Sequence, residues 1–156
     1  MKKNSLEIST NIFNKLSDDD REDIKKILNT ENKDLKISEY STKAFNTSEI
    51  TNFIIHDFDA LKFFRDGALW SLFISLLKKF IEISKKRTNK STIDVWIIDK
   101  SPAMNISFSI SETNLIILED LRNFIEKHTE IKKEENEIIY WISYNREKQE
   151  WNLIEL

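Results

Sequence analysis

The chain has 156 residues, a formal net charge of −3 and no cysteine. A domain of this length buries roughly 70% of the surface its unfolded chain exposes, so it needs no disulfide or metal to fold. The missing thiols exclude cysteine nucleophiles, CxxC redox chemistry and thiolate zinc sites, and a single glycine excludes the Walker and dinucleotide loops, whose backbone must turn tightly against phosphate.

The opening Met1-Lys2-Lys3-Asn4-Ser5 is basic, but Leu6 to Leu16 is broken by Glu7, Ser9, Thr10, Asn11, Asn14 and Lys15. No secretory apolar segment is expected, and a cytoplasmic location is. Leu6, Ile8, Ile12, Phe13 and Leu16 approximate one helical face. Ser17 ahead of Asp18-Asp19-Asp20 supplies an N-cap and three acids where helix amides favour them, which starts a second helix over 18–28 with Ile24, Ile27 and Leu28 inward. Residues 34–41 read as a weak strand. Ile50, Phe53, Ile54, Phe58 and Leu61 keep steps of three and four, which argues for a helix over the competing strand at 50–55. After a break at Gly67, the residues Leu69, Leu72, Phe73, Leu76, Leu77, Phe80 and Ile83 make a helix apolar on most sides, closed by Lys85, Lys86 and Arg87. Its most apolar run, 67–77, is about half the roughly 20 residues of a membrane helix, so no membrane association is expected.

The last 65 or so residues change period. Ile93, Val95 and Ile97 alternate with Asp94, Trp96 and Ile98, and Met104, Ile106, Phe108 and Ile110 alternate with Asn105, Ser107, Ser109 and Ser111. That is an antiparallel hairpin with one buried face. A helix through Leu118, Leu121, Phe124, Ile125 and His128 follows, then strands at Ile138, Tyr140, Ile142 and Tyr144 and at Trp151 and Leu153. The expected fold is therefore α+β, one domain over 1–156, with a helical N-terminal half packed on a C-terminal, mostly antiparallel sheet of ββαββ order.

Candidate functional residues are few. His56 is expected on a helix near Asp59, and His128 at a helix end; neither belongs to an HExxH pair, and no GxSxG element is present, so no metal or organic cofactor is expected. The cluster Asp18, Asp19, Asp20, Glu22 and Asp23 lacks the alternating ligands and glycine turn of a calcium loop. It reads as a solvated helix start or as an acidic docking patch for a basic partner. Lys78, Lys79, Lys85, Lys86, Arg87 and Lys90 form a basic run interrupted by Glu82, with no aromatic-basic motif beside it, so nucleic-acid binding is not expected. Trp96 and Trp141, with Ile98 and Ile139, fall on the nominally polar side of the strands. They must either be covered by the front helices, which is the expectation, or be offered to a partner.

Small size, acidic balance, absent catalytic signatures and AT-rich codon-driven composition are similar to those of bacterial immunity and antitoxin proteins, a resemblance of profile that covers no motif. It implies stoichiometric binding of a co-encoded protein, a basic toxin or nuclease domain, through Asp18, Asp19, Asp20, Glu22, Asp23, Trp96 and Trp141. The alternatives are an enzyme or nucleic-acid-processing factor using carboxylates with His56, and a structural subunit of a larger assembly.

Overall fold

The computed structural model describes residues 4–29, 33–39, 51–59, 62, 65–99, 104–127 and 140–155. In chain order the elements are β1 (Asn4–Thr10), α1 (Asp18–Asn29), β2 (Lys33–Glu39), β3 (Thr51–Phe58), α2 (Gly67–Thr88), β4 (Thr92–Asp99), β5 (Met104–Ser111), α3 (Ile117–Lys127), β6 (Tyr140–Asn145) and β7 (Glu150–Glu155). Short 3-10 turns occupy Phe13–Lys15 and Glu112–Asn114.

The seven described strands form one sheet in the order β2-β1-β3-β4-β5-β6-β7. The pairs β1–β2, β3–β4 and β5–β6 are parallel, and α1, α2 and α3 respectively lie between their strands in sequence. The pairs β1–β3, β4–β5 and β6–β7 are antiparallel. The chain remains α+β, but the expected helical front half is corrected: among the described residues the helices are interleaved with the strands, and the sheet is mixed rather than mostly antiparallel.

Two segments account for the difference. Residues 4–10 form a strand, with Leu6, Ile8 and Thr10 buried; the helical spacing of Leu6 to Leu16 comes from joining that strand to the turn carrying Ile12 and Leu16. Residues 51–58 likewise form a strand, not a helix. Phe53 and Ile55 face the core while Ile54 and His56 face away, and apolar side chains on both faces hide the two-residue period.

Register fixes which side chains share a face. Ile8 pairs with Ile55, Ile55 with Ile97, Ile97 with Ile106, Ile106 with Ile142 and Ile142 with Leu153. This row crosses the sheet, and the helices pack on it. Phe80 of α2 stacks on Phe53 with centroids 4.2 Å apart and planes 7° apart. Deeper in the same helix, Ser84 is fully buried, with its Oγ 2.9 Å from both Thr51 Oγ1 and the Lys90 carbonyl oxygen. Asp66 caps the start of α2, accepting from the Ala68 and Leu69 amides at 2.9 and 3.2 Å; Lys62 and Arg65 before it are helical, Asp66 is not, and Gly67 is the first residue of α2.

The other helices join the same layer. α1 is tied to α2 by Arg87–Asp20 and Lys79–Asp23. α3 meets α2 where Trp70 donates to Glu119 Oε1 at 3.4 Å and Arg122 lies over the Trp70 ring. The Trp151 indole N–H donates to the Ile117 carbonyl at 2.9 Å, which seats α3 over β7. All three described helices therefore cover one face of the sheet. The expectation that the front helices cover Trp96 and Trp141 is corrected, because both residues lie on the reverse face.

Candidate functional site

The reverse face is built from the outward positions of the strands. One registered row runs Ile54, Trp96, Ser107, Ser143, Asn152 across β3 to β7. The next runs Ile98, Asn105, Trp141, Ile154 across β4 to β7. Trp96 and Trp141 are diagonal neighbours across β5, within reach of large side chains. Their ring centroids are 6.0 Å apart at 56°. The strand between them carries Asn105 and Ser107, which are too small to fill the gap, and a depression of about 210 Å³ results, bordered by Trp96, Ile98, Asn105, Ser107 and Trp141.

Hydrogen bonding holds one wall of this cleft. The Trp141 indole N–H donates to Ser107 Oγ at 2.7 Å, which orients that ring. Trp96 is 46% exposed and Ile154 48%. Trp70 and Trp151, by contrast, are each 5% exposed and belong to the core.

A second hollow, about 250 Å³, adjoins Trp96 on the side away from Ile98 and is lined by Asp94, Ser107, Ser109, Ser143 and Arg146. The Ser109 hydroxyl donates to Asp94 there. A larger polar recess of about 550 Å³ lies at the end of the sheet among Thr92, Ser111, Asn114, Asp120, Arg146 and Gln149. The patch as a whole thus has an apolar cleft at its centre and hydroxyls, amides and charges around it, the anatomy of a recognition surface.

His56 also lies on this face, on β3 rather than on the expected helix. Its Nε2 is 3.4 Å from Ser9 Oγ, Ser9 Oγ is 3.0 Å from Ser38 Oγ, and the Ser38 hydroxyl donates to Glu7 Oε1 at 3.4 Å. Glu7 is the registered partner of His56. This network spans β2, β1 and β3 and ties the parallel edge strand to its neighbours. His128 lies outside the described residues.

The acidic cluster is divided by the structure. Asp20 is buried: its Oδ2 accepts from the Ser17 amide and from Arg87 Nε, each at 3.1 Å, while the Asp20 amide donates to Ser17 Oγ. Burial works to raise the Asp20 carboxyl, but the Ser17 hydrogen bonds and the Arg87 guanidinium outweigh it and hold the group below its ordinary 3.8. Asp23 accepts from Lys79 at 2.9 Å. Desolvation works to lower the Lys79 ammonium, yet its hydrogen bonds to Asp23 and Glu82 raise it above 10.5. Glu22 is 3.7 Å from Lys25, and Asp18 and Asp19 are exposed. The cluster sits in the helix layer, so it and the Trp96–Trp141 pair occupy opposite faces of the molecule.

The basic run is in the helix layer too. Lys79 and Arg87 are engaged as above, and Lys85 lies 3.6 Å from Glu112. Ile54 and Ile154 belong to the tryptophan face but were not singled out from sequence. For Ile154 the signal is the alternation of inward Trp151 and Leu153 with outward Asn152 and Ile154 in β7. Among the described residues no group of three or more His, Asp or Glu side chains is placed to hold a metal ion, and no helix is long and apolar enough to cross a membrane. Comparison of the chain with protein families, with curated proteins and with solved structures finds no match in any of the three.

Proposed function

We propose that this protein acts by stoichiometric binding of a protein partner, and that the face of the sheet opposite the three described helices is where the partner docks. The supporting observation is the Trp96–Trp141 cleft: a half-exposed indole beside an orientated one, with Ile98 and Ile154 in the adjoining row. Keeping large apolar side chains in water is unfavourable by about 25 cal/mol per Å², and this cluster is the kind of exposed patch that interfaces use. In the most specific form of the reading, the protein is a bacterial immunity or antitoxin-type inhibitor acting in the cytoplasm on a co-encoded basic toxin or nuclease domain. The exposed acids Asp18, Asp19 and Glu22 are a second candidate contact, on the opposite face.

The test measures association of the neighbouring gene's product with the wild type, with Trp96→Ala, and with a triple change of Asp18, Asp19 and Glu22 to their amides. Loss in the first variant supports docking on the sheet. Loss confined to the second, with weaker dependence on salt, moves the contact to the helix layer. Unchanged association in both overturns the reading.

A second reading, an enzyme using His56, rests on the 3.4 Å approach of Ser9 to His56 Nε2. It predicts ester turnover that Ser9→Ala and His56→Gln each abolish; its absence from purified protein removes this alternative.

A further inference from the structure

The cleft is too small for a whole ligand and the right size for one side chain. Its volume, about 210 Å³, lies below the roughly 300–1,000 Å³ of pockets that take organic ligands. Its lining is largely indole and isoleucine, and the Ser107 oxygen already accepts the Trp141 N–H. A single large aliphatic or aromatic side chain would be clasped between the two rings.

Among the described strand residues, the acids on this face outnumber the lysines and arginines: register and alternation put Glu7 of β1, Asp94 of β4 and Glu150 of β7 on it, against Lys36 of β2. Arg146, on the turn after β6, is the basic group that lines the hollow beside Trp96. Asp94 is nearest the cleft, two residues before Trp96 on the same strand and therefore on the same face. Glu150 lies on β7, opposite Asn145. The surface complements a partner that is apolar at one point and basic around it, because like charge facing Asp94 or Glu150 across an interface is costly.

We propose that the cleft between Trp96 and Trp141 receives one large apolar side chain from a basic segment of the partner protein, with Lys or Arg residues flanking that anchor and pairing with Asp94 and Glu150. This rests on the reading that the open face binds a protein. Trp96 and Trp141 supply the anchor's contact area, and Asn105 and Ser107 set the depth of the cleft. Asp94 and Glu150 select the sign of the flanking residues and speed encounter at low salt.

The experiment uses the full chain as bait for a random linear peptide library displayed on phage. Affinities of the selected peptides are then measured by titration against the wild type, Trp96→Ala, Asn105→Phe, and Asp94→Asn combined with Glu150→Gln. Asn105 is a partly exposed strand residue, so a phenylalanine there fills the cleft without entering the core; circular dichroism and denaturant melts confirm that each variant is folded. Peptides sharing one large apolar residue within a few positions of Lys or Arg are expected. Asn105→Phe is expected to weaken them about thirtyfold or more, as a blocked hot spot does, and the charge variant to weaken them mainly at low salt.

Two results would overturn the proposal, and they differ. Selected peptides that lack an apolar anchor, or carry acidic flanks, yet lose affinity with Trp96→Ala would leave the open face as a protein-binding surface and refute the anchor. Failure to select any peptide, or peptides indifferent to Trp96→Ala, Asn105→Phe and the charge variant alike, would refute docking on this face and the anchor with it.

Discussion

At the scale of single residues, the same side-chain type plays opposite roles according to face. Asp20 and Asp94 illustrate this: Asp20 is locked within the helix layer by Ser17 and Arg87, whereas Asp94 borders the hollow beside Trp96. Because the folded-state carboxyl of Asp20 titrates below 3.8, its contribution to stability is fully present above that value and disappears as the pH falls through the lower folded value. Asp20→Asn is expected to cost about 1–3 kcal/mol near neutrality, as for a buried charged hydrogen bond. The gap between wild type and variant should close only below pH 3.8, as read from urea melts at stepped pH. A gap that shrinks well above that value would contradict the assignment. Phe73 is fully buried on α2, and Phe73→Ala should cost about 3–5 kcal/mol in denaturant melts; a loss under about 1 kcal/mol would mean that α2 does not carry the core.

Among the elements, α2 concentrates the determinants that bind helix layer to sheet. Its cap, Asp66, accepts two amides, so Asp66→Ala should lower stability by about 1 kcal/mol. At its other end Asn89 adopts a left-handed φ of 61°. Asn89→Val should cost about 1–2 kcal/mol there, whereas Asn89→Gly should be tolerated; equal effects of the two in thermal melts would contradict the cap. α2 was legible in the sequence because Leu69, Phe73, Leu76, Phe80 and Ile83 repeat at helical spacing, β5 because Ile106 and Phe108 alternate cleanly with Asn105, Ser107 and Ser109, and β4 because the β-branched Ile93, Val95 and Ile97 recur at every second position. β1 and β3 were not. In β3 the run Phe53-Ile54-Ile55 is apolar on both faces, since Ile54 packs in the row of Trp96 while its neighbours face α2, and the two-residue period is lost. Local spacing also carries no information on pairing: the parallel β1–β2 and β3–β4 ladders each join a segment with helical spacing to one with strand spacing, so the mixed sheet was invisible from the chain alone.

For the whole molecule, the decisive fact is asymmetry. The three named helices cover one face of the sheet of seven described strands, and the other face carries the Trp96–Trp141 cleft. Sequence alternation had already put both tryptophans on the side opposite Val95 and Ile142; what it lacked was the location of the helices, which decides whether that side is covered. It likewise grouped five acids that the fold separates into buried, paired and exposed members. If the open face serves binding rather than folding, Trp96→Ala should change unfolding free energy by about 1 kcal/mol or less, as half-exposed positions do. The most direct measurement is calorimetric titration of the neighbouring gene's product into wild type and folded Trp96→Ala. The account predicts one-to-one binding weakened about thirtyfold or more by the substitution, and equal affinity for the two proteins would contradict it.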